Sequence, residues 1–294
     1  MGSDEPWTIG RLLTWTTSYL KQRGSDSAQL DAQVLLAHAR QCRRIDLYTA
    51  YGETPPEEVL AAFRELVRRR AAGTPVAYLV GHREFYSLPF RVTRDVLIPR
   101  PETEYLVVAL LDLIKERGDG QALLEIADVG TGSGILAVCA AAKVPRARLW
   151  ATDVSEPALA VAAANCQDHG VADRVQLLLG DLLQPVPADV RFDYVLSNPP
   201  YVSETEYTQL SVDIRGHEPR QALVAGPTGV EIIARLVPAA AERLRPGGGL
   251  LMEISPMIEP AVRRIVQDHG QFPSYAVIPD LAGHPRVVRA ITGS

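Results

Sequence analysis

The chain has 294 residues, 47% of them hydrophobic, and a net charge of −5, which is apolar material for one large domain or two ordinary ones. The acidic balance argues against a protein that tracks a nucleic-acid backbone, since such a protein favours a basic surface. No apolar run approaches the ~20 residues of a membrane span, no basic-then-apolar leader is evident, and Cys42, Cys139 and Cys166 lack metal-ligand spacing, so a cytoplasmic, reducing location is expected.

Residues 1–80 read as a domain of short helices. Trp7 to Leu20 has loosely helical apolar spacing, and Ser27 to Arg40 sets Leu30, Val34, Leu35 and His38 on one face. Thr54-Pro55-Pro56-Glu57 predicts a helix start, with Thr54 as the cap and Glu57 closing a capping box. The following helix carries Leu60, Phe63, Leu66 and Val67 on one stripe and ends in Arg68-Arg69-Arg70, a run that suits the helix dipole and solvent. Residues 81–104 read as a β-hairpin connector: Phe85 to Thr93 alternates, Pro99 halts Val96-Leu97-Ile98, and Pro101-Glu102-Thr103-Glu104 opens a helix to about Lys115.

Residues 105–294 read as an α/β domain. Strands are expected at 123–129, 148–153, 175–180, 192–197 and 249–254, and helices at 134–143, 156–169, 229–244 and 257–269. Such alternation predicts a parallel sheet covered on both faces. The tail, 274–279 and 286–292, predicts an antiparallel pair at the sheet edge, and Gly247-Gly248-Gly249 reads as a turn.

Three strand ends carry candidate chemistry. Asp128-Val129 runs into Gly130-Thr131-Gly132-Ser133-Gly134 and then a helix, the first strand-to-helix turn at which α/β sheets bind ligands. The spacing is G-x-G-x-G, with Ile135 where a dinucleotide fingerprint has its last glycine. This disfavours a nicotinamide dehydrogenase and suits a smaller ligand, such as an amino-acid moiety with an attached nucleoside. Asp153, at the second strand end, can accept both ribose hydroxyls, while Ser155 is the better cap for the next helix. Asp181, at the third, can accept from an adenine amino group with Leu182 covering the ring, although a Gly-Asp turn alone is commonly structural.

The fourth strand end is Asn198-Pro199-Pro200-Tyr201. Two prolines stop the strand. The Asn198 side-chain oxygen and the Pro199 carbonyl can each accept one N–H of a planar –NH2, orienting a poor nucleophile toward an electrophile, and Tyr201 offers a flat face. The six histidines show no ligand or triad spacing; His169 and His269 suit helix ends. Glu218-Pro219-Arg220 faces a substrate or forms a local ion pair; the residues alone do not separate these.

From residue 78 onward the chain resembles the PrmC/HemK family of protein glutamine-N5 methyltransferases. The matching stretches are Tyr78-Leu79-Val80-Gly81, Phe85-Tyr86, Leu97 to Glu104, the 128–134 turn, Asn198–Tyr201, His217 to Arg220 with Ala222-Leu223, and Asp280 to Gly283 with Arg286-Val287-Val288. Asn-Pro-Pro-Tyr alone is shared with adenine-N6 methyltransferases; Ile98-Pro99-Arg100-Pro101-Glu102-Thr103-Glu104 is more specific. The chain departs from the family pattern at Ser255-Pro256-Met257 and at His284-Pro285.

The resemblance implies a class I methyltransferase fold, a Rossmann-like seven-stranded sheet with an antiparallel edge, behind a small helical domain that holds the body of the substrate. It implies S-adenosyl-L-methionine as cofactor, S-adenosyl-L-homocysteine as product, and contacts from Gly130, Thr131, Gly132, Ser133, Gly134, Asp153, Asp181, Leu182 and Asn198. It implies that Asn198, Pro199, Pro200 and Tyr201 bind the glutamine of a Gly-Gly-Gln segment in class I peptide chain release factors, with catalysis assigned to Asn198, Pro199 and Tyr201. Thr103 is expected to approach the cofactor. No metal, membrane or direct nucleic-acid partner is expected. The alternatives are a ribosomal-protein glutamine methyltransferase, an adenine-N6 methyltransferase, and a non-catalytic binding module.

Overall fold

A computed structural model describes residues 6–118 and 122–293; the first five residues of the expected helical domain lie outside the described residues. Five helices come first: α1 (Ile9–Gln22), α2 (Ala28–Arg40), α3 (Asp46–Thr49), α4 (Glu57–Ala71) and α5 (Val76–Val80). A hairpin, β1 (His82–Phe85) and β2 (Leu88–Arg91), precedes α6 (Glu104–Arg117), which a turn of 3-10 helix at Pro101–Thr103 opens. Alternation follows with β3 (Leu124–Val129), α7 (Ile135–Lys143), β4 (Ala147–Asp153), α8 (Glu156–Asp168), β5 (Val175–Leu179) and β6 (Phe192–Ser197). Next come β7 (Val202–Ser203), α9 (Glu204–Gln209), α10 (Val212–His217), β8 (Val224–Gly226), α11 (Glu231–Arg243), β9 (Leu244–Glu253), α12 (Glu259–His269), β10 (Ser274–Pro279) and β11 (Pro285–Ile291). Among the described residues no helix is long and apolar enough to cross a membrane.

The chain divides into two compact units: the stretch up to His82 together with Val212–His217, and the remainder. The helical unit packs Ile9, Leu13, Leu35, Leu36, Leu47 and Phe63 into its own core. Thr8 caps α1, its hydroxyl accepting from the Arg11 amide. The start of α4 differs from expectation. Pro56 occupies the cap position and no side chain caps the helix, because Glu57 is already helical and Thr54 lies too early in the chain to reach the first free N–H groups. The arginine run at its end also separates by role. Arg68 pairs with Glu65 on the surface, whereas Arg70 is turned inward between Asp31 and Asp213, 2.8 Å from each.

The larger unit holds a seven-stranded sheet in the order β10-β11-β9-β6-β3-β4-β5. Neighbours from β9 to β5 run parallel, and β11 is antiparallel to both β9 and β10. Successive side chains point to opposite faces of the sheet, and both faces are covered, so the central strands are buried nearly throughout. Ile126, Leu149, Ala151 and Leu196 face a core shared with Leu106, Leu110 and Leu136; Ala127, Trp150, Val195 and Met252 face one shared with Ile233, Leu236 and Val262. Each buried aliphatic of this size contributes about 1.5–3 kcal/mol. The order reverses at β3, which has β4 on one side and β6 on the other, and such a switch point opens a crevice beyond the carboxyl ends of the strands.

Two local features depart from the sequence expectation. Gly247-Gly248-Gly249 is not a turn but part of β9. A Cβ on Gly249 would meet Leu113 at 2.9 Å and Tyr194 at 3.2 Å, and one on Gly248 would meet the Arg245 carbonyl at 2.8 Å, so glycine here lets the strand pass close to its neighbours. The hairpin turn is tighter than the alternation suggests: Tyr86 and Ser87 both have positive φ, 50° and 60°, matching the twist a two-residue turn requires.

Candidate active site

The Gly130–Gly134 turn is built on β3. The amides of Gly130 and Thr131 both donate to the Thr152 carbonyl of β4 at 2.9 Å, which bends the chain away from the sheet. Gly130 and Gly132 have φ of 74° and 55°, yet a Cβ on either would meet nothing within 4 Å. Glycine is needed there for backbone conformation, and those faces stay open. At Gly134 a Cβ would press on Ala162 at 3.2 Å, so that residue lets α7 approach α8. Beneath the turn, Asp128 is fully buried; its Oδ2 accepts from the Thr131 hydroxyl at 2.7 Å and from the Ala137 amide at 3.0 Å, while Oδ1 has no partner. Burial pushes the Asp128 carboxyl up to about 6, with its two donors and nearby Asp153 as smaller influences. Asn165, also buried, donates to the Ser133 carbonyl at 2.7 Å and ties the turn to α8.

The Asp153 carboxylate stands at the end of β4. It accepts from the Gly132 amide and from the Ser155 amide, both at 2.9 Å, so it shapes the turn as well as facing the crevice. Ser155 caps α8 through the Ala158 amide. Asp181 is paired with Arg235 through one carboxylate oxygen. Leu182 beside it has a positive φ of 50°, a conformation that turns the chain abruptly after Gly180.

At the end of β6, Ser197 donates its hydroxyl to the Val129 carbonyl at 2.7 Å, locking the strand to the one that carries the glycine turn. Asn198 then donates Nδ2 to Thr103 Oγ1 at 3.1 Å. That bond uses the amide's donor side and leaves Oδ1 as the atom available to a ligand. Tyr201 donates its hydroxyl to Glu253 Oε1 at 3.0 Å. Burial, aided by the neighbouring Glu253, raises the Tyr201 phenol well above its usual range, so it stays neutral. Behind the turn, a Cβ on Gly229 would come within 2.7 Å of the Tyr201 carbonyl. Glu218 is buried and accepts from Arg100 at 2.6 Å and from the Ile98 amide at 3.3 Å, which pins the Leu97–Glu104 stretch in place. Arg220 pairs with Glu204 at 3.5 Å, so both charges of Glu218-Pro219-Arg220 are in ion pairs, that of Glu218 with a residue 118 positions away.

These strand ends enclose a cavity of about 180 Å3. Gly130, Thr131, Gly132, Ser133, Asp153, Asp181, Leu182, Asn198, Pro199 and Pro200 all line it, as do Thr103 and Pro219. Two residues singled out from the sequence do not. Gly134 is committed to helix packing. Tyr201 faces away, its ring packed on the second core and its hydroxyl drawn to Glu253.

The PrmC N-terminal domain family matches residues 11–81, and the methyltransferase small domain family matches residues 108–215. The release factor glutamine methyltransferase of Rhodopirellula baltica is 48% identical over 97% of both chains. Those of Moorella thermoacetica and Koribacter versatilis are 41% and 38% identical over 95% and 96% of this chain, covering 96% and 97% of their own length. The chain belongs to the release factor glutamine methyltransferase family. Among solved structures, the hMettl16 catalytic domain in complex with MAT2A 3'UTR hairpin 1 matches with a TM-score of 0.57 at 15% identity, over 95% of this chain and 93% of that one. That likeness shows the fold alone, the class I methyltransferase sheet with its antiparallel edge.

For a member of this family, the residues that sequence reasoning missed are the supports. Asn165, Gly229 and Glu253 each act on a partner far along the chain, at separations of 32 for Asn165 to Ser133 and 52 for Tyr201 to Glu253. Glu253 did leave a signal: it is a lone acid closing the apolar run Leu250-Leu251-Met252 at a strand's carboxyl end.

Proposed function

We propose that this chain methylates the side-chain nitrogen (N5) of the glutamine in the Gly-Gly-Gln segment of peptide chain release factors, using S-adenosylmethionine. The observation that carries the reaction class is the Asn198 amide, held by Thr103 beside the glycine turn. The acceptor is supported by relatives named release factor glutamine methyltransferase along nearly the whole chain, and the cytoplasmic location expected above goes with it.

The cavity suits that cofactor. Gly130 and Gly132 leave open backbone faces for an amino-acid moiety, and Asp153 keeps acceptor capacity for hydroxyls beyond its two amide bonds, since each carboxylate oxygen has two lone pairs. Asp181, with one oxygen taken by Arg235, has the other for an amino group, and Leu182 supplies apolar cover. When bound, S-adenosylmethionine supplies an already activated methyl group on a sulfonium. The chain's part is to hold and orient the acceptor. Asn198 Oδ1 and the Pro199 carbonyl accept the two N–H bonds of the glutamine amide, fixing the plane of its nitrogen and stabilising the positive charge that develops there. Pro200 ends the strand so that these acceptors face the cavity rather than a neighbouring strand. Tyr201 holds the turn from behind.

Labelled S-adenosylmethionine offered with purified release factor, ribosomal proteins or duplex DNA tests the reading. Label is expected on the release factor and is lost when its Gly-Gly-Gln glutamine is replaced. Label on DNA or a ribosomal protein, with none on the release factor, would refute it.

A further inference from the structure

Glu253 is a charged residue type placed where an apolar one would pack. It closes β9, opposite Val287 of β11, and the preceding Met252 lies across from Ser197 of β6. The acid therefore comes level with Asn198, the first residue of the amide clamp proposed at Asn198–Tyr201. It is 1% exposed. Two hydroxyls turn to it: Tyr201 donates to Oε1, and the Thr103 hydroxyl faces the same carboxyl. Thr103 is itself 0% exposed and already accepts the Asn198 amide. Its own proton must then go to another acceptor, and the Glu253 carboxyl is the one beside it. Oε2 is buried with no partner.

We propose that Glu253 is a positioning residue for methyl transfer: its carboxyl orients the hydroxyls of Thr103 and Tyr201 and, through Thr103, turns Asn198 Oδ1 into the cavity. The inference rests on the clamp reading of Asn198. Asn198 and Tyr201 lie three residues apart at the two ends of one turn, and one buried group reaches both ends, Tyr201 directly and Asn198 through Thr103. The geometry also specifies the form of the acid. A buried carboxylate charge with one oxygen lacking a donor is costly in a dry site, and the neutral acid avoids the cost of burying that charge. Burial raises the Glu253 carboxyl, as does nearby Glu102; the Thr103 and Tyr201 hydroxyls and Arg286 oppose this. Arg286 commits its Nε to Asp280 at 3.0 Å. A neutral acid that offers an acceptor oxygen is matched by a glutamine amide, so the role is separable from charge.

The test compares wild type, Glu253→Gln, Glu253→Ala and Tyr201→Phe in the full-length protein, with release factor as acceptor. Glu253→Gln is expected to keep kcat within about threefold and an unaltered pH profile. Glu253→Ala is expected to lose kcat by roughly 10²-fold, the scale of an ångström-level misplacement, with the affinity for S-adenosylmethionine retained. Tyr201→Phe removes one of the two grips, with an intermediate loss expected, and serves if Glu253→Ala fails to fold. Hydrogen exchange of the Asn198 side-chain amide, followed by NMR without substrate, is expected to be slow in wild type and Glu253→Gln and faster by about an order of magnitude in Glu253→Ala. Unchanged kcat and exchange in Glu253→Ala would overturn the proposal, as would a Glu253→Gln variant as impaired as Glu253→Ala. If wild type transfers no methyl group to release factor, the functional reading fails, and the exchange measurement still decides the role of Glu253.

Discussion

Asn198 is held by its nitrogen at Thr103, which leaves its oxygen available for the role proposed above. Asn198→Ala is therefore expected to lower kcat by roughly 10²-fold or more, as for loss of one preorganised group at a reacting centre, while binding of S-adenosylmethionine by titration calorimetry changes little. Asp128 gives a second test, in stability. Its carboxyl sits at about 6 in the folded protein against an ordinary 3.8, so the folded state holds that proton more tightly than the unfolded chain. Its favourable contribution is complete below about pH 4, is lost as pH rises toward about 6, and is constant above. Asp128→Asn keeps an acceptor for Thr131 and Ala137 without the charge. Its stability relative to wild type, from urea unfolding, is expected to climb across that window by up to about 3 kcal/mol and then level off. At this scale the sequence displayed what backbone chemistry dictates. Glycines before a helix and paired prolines after a strand punctuate the chain, so both turns at the cavity were legible as turns. Glu253 and Asn165 were not, because their meaning lies in partners that only the folded sheet brings near.

The elements carry the site by ending where they do. β3, β4 and β6 stop level with one another, and the crevice is what lies beyond. Strand and helix alternation made those strands legible, since a two-sided sheet imposes continuous apolar runs. β9 was legible only in its second half: glycine does not advertise a strand, and the reason for Gly248 and Gly249 is the closeness of the Arg245 carbonyl, Leu113 and Tyr194. The small pair of β7 and β8, two and three residues long, offers no periodicity to read. Its packing matters nonetheless. Gly229 abuts the Tyr201 carbonyl from the far side and has a φ of 86° that disfavours a side chain. Gly229→Ala is expected to push the clamp turn, reducing kcat, and to lower stability by about 1–3 kcal/mol. Wild-type kcat in a folded Gly229→Ala protein would show that the turn tolerates displacement.

For the whole molecule, the change in composition near residue 81 separates helices from strand-helix alternation, and one compact unit comprises the stretch to His82 with Val212–His217. The assignment of Val212–His217 to the helical unit was not legible, since six residues between polar loops show no pattern of their own. What joins them is Arg70, 12% exposed between Asp31 and Asp213. Arg70→Ala leaves the buried Asp31 carboxylate with only serine donors, and is expected to destabilise the helical unit by about 3 kcal/mol. Asp213→Ala removes a more exposed partner and is expected to matter by less than about 1 kcal/mol. Amide exchange read separately in α2 and α4 and in β3 and β6 tests both, with the change confined to the helices.

The same cluster sets an order of events during synthesis. A ribosome delivers Arg70 and Asp31 early, but Asp213 lies 143 residues beyond Arg70. The nascent helical unit must wait through translation of β3 to β6, with Arg70 paired to Asp31 alone, before the second carboxylate emerges. The amino-terminal part is thus the first to be made and among the last to be finished.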